Sequence, residues 1–517
     1  MKHTIILSFL LGALFALQCS RDEGNYQYNE INEITIKDVD GRSFIIVNDG
    51  IDRIKIEPVI EMTETGLNPD NDRIEYCWYI HNSLWNPYDT IATTRVLDWV
   101  PNLSAGSTRH TLYLRVKDRL TGVTTSSSCS FTISLFHSRG WLLIGENTNG
   151  NVQTQLISML SGRDTILYPN LLENSGLPTL KGPINFFHTG GASGDRKLWI
   201  LTESGSYWID NVTLKSTPNN TFSSILYNAP PQINVVDLAY PIRTAAGASS
   251  NYYRYIVADN GNLYTTYLFN RGDYYTSPVN VLQTDRSTLI PVKGPLLVHM
   301  TATLGIGPAM WYDGTNERFM IAKDPESYNY SEVVPDPSSD PFPWNQAGTG
   351  RTYIHGENTQ DDISGGSNSF ALMKGSDNKG YIYKLRVNNT PDKRAMYPID
   401  PAPIDFWNAS WYAFAENQTT MFYVANGKLY LFDYQNTPTP NGTHIDFWNG
   451  DEVTMAKIDH TSAPRANHLY VATWNPATGG QITKYILSGT TNLTKDRSFE
   501  WSTGFVKIKN MTWRGTE

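Results

Sequence analysis

The 517-residue sequence has only 3 cysteines and none of the common catalytic or nucleotide-binding motifs. His-Glu-x-x-His, Gly-x-Ser-x-Gly, P-loop and Cys-x-x-Cys patterns are all missing, so we expect no site of those types. Basic residues number 41 against 50 acidic ones, and the net charge of −9 argues against nucleic-acid binding. No segment has the about 20 consecutive apolar residues that span a bilayer. No long stretch places apolar residues at helical spacing.

The chain is rich in aromatic residues and glycine instead. Phe, Trp and Tyr make up 12% of the sequence, and there are 39 glycines. This composition is typical of short β-strands joined by tight turns. A chain of this length is too long for one core, which predicts two or more domains.

The amino terminus has the pattern of an exported, lipid-anchored protein. Met-Lys-His and about fourteen apolar residues precede Cys19, which predicts a signal peptide over residues 1–18. A cysteine at the cleavage position is the usual lipid acceptor of bacterial lipoproteins, although Ala16–Gln18 match the lipobox only loosely. An ordinary signal peptide with an incidental cysteine is the alternative. The acidic stretch that follows resembles the surface-export signal of Bacteroidetes lipoproteins, so residues 19–25 are expected to form a lipidated tether.

Residues 26–136 are predicted to form an immunoglobulin-like β-sandwich. Seven short strands are separated by Gly, Asn, Asp and Pro, and Trp78 in "YCWYI" is expected to fill the core. Strand parity turns Cys77 outward and Cys129 inward, which argues against a disulfide between them without settling the question. The segment Asn68–Asp72 is either a calcium-binding loop or, as we favour, a polar turn.

From residue 137 to 517 one pattern recurs. A strand rich in aromatic and β-branched residues reaches a glycine turn, and a second strand follows. The turn glycines are spaced 47 to 66 residues apart, and they are Gly150, Gly205, Gly261, Gly314, Gly380, Gly427 and Gly480. A repeat of this length made of β-hairpins is typical of propeller blades. Six of the hairpins are preceded by a further strand, which we predict to be the inner strand of each blade.

The hairpin at Trp141 has no such preceding strand, and the chain end has a spare one at Phe505–Met511. We therefore predict that the carboxy-terminal strand completes the first blade and closes a seven-bladed β-propeller. Closure of this kind removes exposed sheet edges.

The pentapeptide "IDFWN" occurs twice, each time just ahead of a predicted inner strand. One interpretation is that its aromatic residues wedge between blades. The other is that they stack on sugar rings or peptide side chains at the loop face. The candidate ligand-binding residues are therefore Asp405, Phe406, Trp407, Asn408, Asp446, Phe447, Trp448 and Asn449. Trp344 is a further candidate, because it lies in the long Pro-rich loop between Lys323 and Arg351.

No catalytic residues are predicted. His188, His299 and His355 lie on or near inner strands, where they either face a central channel or bind a metal, and we expect no metal. Asp237, Glu357, Glu416 and Asp459 also lie on or beside inner strands, and a pair of them would suit a glycoside hydrolase. A surface hydrolase is therefore the alternative to a non-catalytic protein without cofactors.

The mature sequence resembles the PKD-like family of Bacteroidetes surface lipoproteins. The residues that carry the resemblance are Cys19, "DEGNYQYNEINEITI", "YCWYI", "LYLRVKD" and "GWLLIGE". The resemblance implies an outer-membrane, cell-surface protein in a nutrient-uptake locus, held to the membrane by its lipid only. Its expected partners are a TonB-dependent transporter and that transporter's binding lipoprotein, with an oligosaccharide or peptide as ligand.

Overall fold

The structure is a computed structural model, and it describes most of the chain after residue 30. The described ranges are 31–47, 52–81, 88–103, 105, 109–189, 197–230, 233–240, 253–268, 272–298, 307–323, 328–362, 367–376, 379–435, 443–445, 450–463 and 465–515. The predicted signal peptide, Cys19 and the tether lie outside them, as do His299 and Asp446–Asn449. Among the described residues no helix is long and apolar enough to cross a membrane.

The protein is all-β and divides into two compact units, Met1–Leu135 and Phe136–Glu517. The predicted domain boundary, after residue 136, lies one residue from this division. Two short 3-10 turns lie at Phe222–Ile225 and Phe406–Asn408.

The described part of the first unit has nine strands. They are β1 (Ile34–Lys37), β2 (Ser43–Val47), β3 (Ile54–Ile56), β4 (Val59–Met62), β5 (Ile74–Ile80), β6 (Asp89–Ala92), β7 (Leu97–Trp99), β8 (Arg109–Asp118) and β9 (Thr124–Ser134). Five form a sheet in the order β2-β9-β8-β5-β6, and β1-β4 and β3-β7 form two-stranded sheets. The prediction of seven strands was therefore wrong in detail. The segment predicted as one strand at Asp52–Met62 is split at Glu57–Pro58, because proline has no N–H for a ladder.

The core of this unit follows the predicted parity. Trp78 is fully buried beside Tyr76 and Ile80, and its indole N–H donates to the carbonyl of Thr94 over 3.0 Å. Cys129 belongs to the same apolar core, whereas Cys77 lies outside it, 3.9 Å from the hydroxyl of Thr90. Both thiols are buried and free, because their strands are separated by β8.

The second unit contains seven sheets among the described residues. The first sheet has β10 (Arg139–Glu146), β11 (Val152–Ser158), β12 (Ile166–Tyr168) and β35 (Lys507–Gly515). The second sheet has β13 (Pro183–His188), β14 (Lys197–Thr202) and β15 (Gly205–Asp210). The third sheet has β16 (Val235–Ala239), β17 (Tyr253–Ala258) and β18 (Leu263–Tyr267). The fourth has β19 (Val292–Val298), β20 (Ala309–Asp313), β21 (Arg318–Ala322) and β22 (Glu332–Val333).

The fifth sheet has β23 (Arg351–Asp361), β24 (Asn368–Gly375), β25 (Gly380–Arg386) and β26 (Asp392–Ile399). The sixth sheet has β27 (Trp411–Phe414), β28 (Thr420–Ala425), β29 (Lys428–Asp433) and β30 (Thr443–Ile445). The seventh sheet has β31 (Glu452–Ile458), β32 (His468–Asn475), β33 (Gly479–Ser488) and β34 (Asn492–Phe505). Neighbouring strands within these sheets are antiparallel. One of the tight turns is Asn426–Gly427, where both residues have positive φ, 52° and 70°, as a two-residue hairpin requires.

We call β13, β16, β19, β23, β27, β31 and β35 the inner strands. The first six overlap the strands that the sequence predicted ahead of each hairpin, although β16, β19 and β27 end before the predicted segments do. The seventh, β35, pairs with β10 so that Trp513 lies opposite Trp141 and Met511 opposite Leu143. The pairing is as predicted, but the strand covers Lys507–Gly515 rather than Phe505–Met511, because Phe505 still belongs to β34.

Apolar clusters lie between consecutive sheets of the second unit. Phe186 and Leu198 of the second sheet, for example, pack with Leu142 of the first. A cluster of the same kind joins the seventh sheet to the first, and it contains Tyr470 together with Ile508. Apolar packing between sheets therefore extends from the last sheet of the chain back to the first.

Candidate functional site

A cavity of about 300 Å³ lies among the inner strands of the second unit. Its lining comes mainly from β13, β16, β19, β23, β31 and β35, and from residues that directly follow them. The volume is at the lower end of the range for small-molecule sites in proteins.

One part of the cavity lining is aromatic. Trp141 and Trp513 are contributed by the paired strands β10 and β35, and their ring centroids are 5.2 Å apart. Phe187 and Tyr240 also line the cavity, and the Tyr240 hydroxyl donates to the carbonyl of His188 over 2.8 Å. Trp513 keeps part of its surface exposed, whereas Trp141 is buried. The Arg139 guanidinium lies 5.8 Å from the Trp513 ring centroid, and the part of Trp513 that stays exposed provides aromatic surface at the cavity.

The carboxylates that line the cavity are held by donors of the protein itself. The Oδ1 atom of Asp459 accepts hydrogen bonds from the backbone N–H groups of Thr461 (2.9 Å) and Ser462 (2.8 Å). Asp237 accepts from the backbone N–H of Leu296 over 3.3 Å. Burial raises the pKa of Asp237, and the N–H groups of Leu296 and Leu238 oppose that rise. Asp237 as a residue is partly exposed and lines the cavity.

A buried histidine lies between two glutamates at one end of the cavity. Nε2 of His460 is 2.9 Å from Oε1 of Glu357, and its Nδ1 is 2.6 Å from Oε1 of Glu416. Carboxylates only accept hydrogen bonds, so both ring nitrogens donate and the ring is an imidazolium. We call Glu357, His460 and Glu416 the carboxylate–histidine clamp.

The electrostatics of the carboxylate–histidine clamp are consistent with this protonation state. Burial alone would lower the pKa of His460, but the charge of Glu416 and the hydrogen bonds that the ring donates to both glutamates raise it to about 10. Burial would raise the pKa of Glu416, but the charge and hydrogen bond of His460 hold it below its usual value.

The clamp also fixes backbone from three consecutive sheets. Glu357 lies on β23, Glu416 follows β27 and His460 follows β31. Glu357 accepts from the N–H of Phe414 over 2.7 Å, and Glu416 accepts from the N–H of Gln360 over 2.6 Å and from that of Arg465. Both glutamates are therefore engaged in holding the inner strands together.

Lys457 on β31 provides a second cation at the cavity. Its Nζ donates to the carbonyl of Met511 (2.8 Å) and to Oδ1 of Asn510 (3.2 Å), both on β35. Burial lowers the pKa of Lys457 to about 8, against the opposing charges of Glu357 and Asp459.

The ligand-binding residues predicted from the first "IDFWN" copy do not line this cavity. Asp405 has a positive φ of 54° and accepts from the side-chain amide of Asn426 over 3.0 Å. Phe406 is buried against Tyr412 and Tyr423, in the cluster between the fifth and sixth sheets. Its position matches the wedge interpretation.

Trp407 and Asn408 remain more accessible than Phe406. The Trp407 ring is half-buried, with the Lys374 ammonium 5.3 Å from its centroid, and Asn408 is exposed. This element precedes the first residue of β27, whereas the cavity lies towards the other end of the inner strands. The second copy, Asp446–Asn449, lies outside the described residues.

Trp344, predicted to be a ligand-binding residue of the long loop, is buried. Its ring packs edge-on against Phe342 and Phe319, and only 2% of its surface is exposed. The loop thus contributes this tryptophan to the core between the fourth and fifth sheets, where its ring is not accessible to a ligand.

Of the three histidines predicted on or near inner strands, His188 and His355 lie within the described residues. His188 lies on β13 and His355 on β23, and burial lowers the pKa of His355. In the part of the chain that the structure describes, no group of three or more His, Cys, Asp or Glu side chains has metal-binding geometry.

His460 and Lys457 were not predicted from the sequence to be site residues. Both lie in "VTMAKIDH", where a lysine interrupts an apolar inner strand and a histidine follows its end. A charged residue within an otherwise apolar predicted inner strand was the available signal.

Comparison with known proteins identifies the first unit. Residues 19–173 match the model of the PKD-like family, so the amino-terminal domain is PKD-like. The match covers less than a third of the chain and extends into the first sheet of the second unit. A search of curated proteins found no match.

Solved structures with similar architecture share little sequence with this chain. A quinonprotein alcohol dehydrogenase-like protein of Bacteroides thetaiotaomicron has 13% identity and a TM-score of 0.38, over 94% of this chain and 100% of that one. A post-proline cleaving enzyme of Rickettsia typhi has 10% identity and a TM-score of 0.32, over 63% and 47%. PorZ, a surface component of the type-IX secretion system of Porphyromonas gingivalis, has 11% identity and a TM-score of 0.21, over 76% and 58%.

Proposed function

We propose that this protein is a non-catalytic lipoprotein of the outer cell surface that binds a small nutrient-derived ligand in the inner-strand cavity. The observation that carries the proposal is the composition of that cavity. It combines three partly exposed residues of different chemistry, the aromatic Trp513, the acidic Asp237 and the basic Lys457. Aromatic faces with a few placed polar groups are typical of small-ligand sites, including those for sugars and peptide side chains.

We also propose that the second unit is a seven-bladed β-propeller closed by β35. Seven sheets in chain order, apolar clusters between consecutive sheets and the cluster between the seventh and first sheets support this architecture. The pairing of β35 with β10 would place the two chain ends of the unit in one blade.

The carboxylates at the cavity favour binding over hydrolysis. Hydrolysis of a glycosidic bond needs two carboxyl groups directed at the substrate, one of them as an acid. Here Glu357 is bonded to His460 and to a backbone N–H, and Asp459 is bonded within its own turn. Asp237 remains as the carboxyl group available to a ligand, and it serves better as a hydrogen-bonding partner than as half of a catalytic pair.

The cellular setting is proposed from the amino-terminal sequence and the PKD-like match. Lipid at Cys19 would hold the protein to the outer membrane, facing outward, beside a TonB-dependent transporter and its binding lipoprotein. An oligosaccharide or a peptide taken up by that transporter would be the source of the ligand.

Lipid attachment at Cys19 has a direct test. Mass spectrometry of the mature amino terminus is expected to show an acylated Cys19, and Cys19→Ala is expected to move the protein out of the membrane fraction. A matched Ser20→Ala variant should stay in that fraction. An unmodified terminus that begins at another residue would contradict the proposed anchor.

The same membrane preparation tests partners and ligand. The wild-type protein, solubilised mildly from the outer membrane, is expected to co-purify with the transporter and with a small ligand detectable by mass spectrometry. Recovery of the protein alone, without partner or ligand under several mild conditions, would count against the proposed role.

A further inference from the structure

Lys457 differs from other partly buried lysines of the second unit in its hydrogen-bonding partners. Lys384 lies 2.6 Å from Asp361, and Lys484 lies 2.6 Å from Asp496, so each forms an ion pair with a carboxylate. Lys197 is similarly paired with Asp273 over 3.0 Å. Lys457, by contrast, forms no ion pair within the described part of the chain, and its two hydrogen bonds go to neutral oxygen atoms.

An ammonium group has three N–H donors, and the contacts with Met511 and Asn510 account for two of them. Lys457 is partly exposed and lines the cavity, so its ammonium group is held there without a bonded anion among the described residues. Burial lowers the pKa of Lys457, and the charges of Glu357 and Asp459 offset that shift only in part. A ligand anion in the cavity would pair with the Lys457 ammonium and accept its third hydrogen bond.

The carboxylates near Lys457 have hydrogen-bonding partners other than its ammonium group. Glu357 accepts from His460, and Asp459 accepts from the N–H groups of its turn. His460 itself is shared between two glutamates, so it is not available to a ligand. Lys457 is therefore the cationic group at the cavity that can take a ligand anion.

The other cavity groups fit the remainder of such a ligand. Asp237 lies on β16 in the third sheet, away from Lys457 in the seventh, and it accepts hydrogen bonds from hydroxyl or amide donors. Trp513 lies on β35, two residues beyond Met511, and provides aromatic surface in the same cavity lining as Lys457.

On the basis of the proposed function, we propose that the cavity ligand carries a carboxylate group and that Lys457 binds this group. The carboxylate has two sources compatible with this chemistry: an acidic sugar and the carboxyl terminus of a peptide. Both combine a carboxylate with the hydroxyl or amide donors that suit Asp237.

Two matched pairs of probes separate these sources. We would measure calorimetrically the affinity of the full-length protein for glucuronic acid and glucose, and for N-acetyl-Ala-Ala and its carboxy-terminal amide. In at least one pair the acid is expected to bind about tenfold or more tightly than its neutral counterpart, as one additional charge-assisted bond allows. The pair that shows the preference identifies the source.

Lys457→Met is expected to abolish this preference, because methionine keeps an unbranched apolar side chain and removes the charge. Lys374→Met is the matched control. Lys374 lies at Trp407, away from the cavity, so the preference should persist in that variant. Thermal melts of both variants establish that they are folded.

The outcomes distinguish this inference from the proposed function. Equal affinities for the acid and neutral members of both pairs would overturn the carboxylate inference and leave small-ligand binding in place. A preference that survives Lys457→Met would also overturn it. No binding of any of the four probes to the folded wild-type protein would overturn both.

Discussion

Deletion of residues 507–517 is expected to lower the free energy of unfolding of the second unit by about 5 kcal/mol or more. The deletion removes β35, with the buried side chains of Ile508 and Met511 and the partly buried ring of Trp513. Large apolar side chains contribute about 1.5–3 kcal/mol each when buried. The strand β10 would also lose its partner and become an exposed edge.

Urea denaturation followed by tryptophan fluorescence measures this loss. A synthetic peptide of residues 507–515, added in excess, should restore part of the stability of the truncated protein, because the vacated edge of β10 would pair with it. Unfolding of the truncated and intact proteins at the same urea concentration would contradict the structural role of β35.

His460→Gln is expected to cost about 3–5 kcal/mol at neutral pH. The substitution removes the imidazolium and leaves Glu357 and Glu416 facing each other, with the Glu416 side chain fully buried. Loss of one partner of a buried ion pair typically has this cost, because it leaves an uncompensated charge. Glu416→Gln introduced into the same variant should recover part of the loss, since it removes one of the two remaining charges.

The pH dependence of stability provides a second measure of the clamp. The pKa of His460 is raised from 6.5 to about 10 in the folded protein. Its contribution to stability is therefore fully present below about pH 6.5 and is lost as the pH rises through about 10. The stability difference between wild type and His460→Gln should shrink over this window. A difference that stays constant from pH 6.5 to 10 would contradict the charged state of His460.

Features that depend on local sequence patterns were predictable. The spaced glycine turns and the strands around them predicted the hairpins of the second unit, and the spare strand at the chain end predicted the partner of β10. The inward side of "YCWYI" followed from strand parity, which placed Trp78 in the core. These features rest on strand periodicity, which the sequence displays directly.

Contacts between distant segments were not predictable in the same way. His460 meets Glu357 across 103 residues and Glu416 across 44, so the clamp exists only once three sheets lie side by side. The exposure of neighbouring aromatic residues also depends on the packing of the sheets. Phe406 is buried between two sheets while Trp407, the next residue, remains half-exposed.

The location of the ligand site is tested most directly by comparing two tryptophan variants. The probe that binds wild type most tightly would be titrated calorimetrically into Trp513→Ala and Trp407→Ala. We predict that Trp513→Ala weakens binding by about 1–3 kcal/mol, the effect typical of losing an aromatic contact, while Trp407→Ala retains the wild-type affinity. Thermal melts would confirm that both variants are folded. Weakened binding in Trp407→Ala, with unchanged binding in Trp513→Ala, would contradict the assignment of the ligand to the inner-strand cavity.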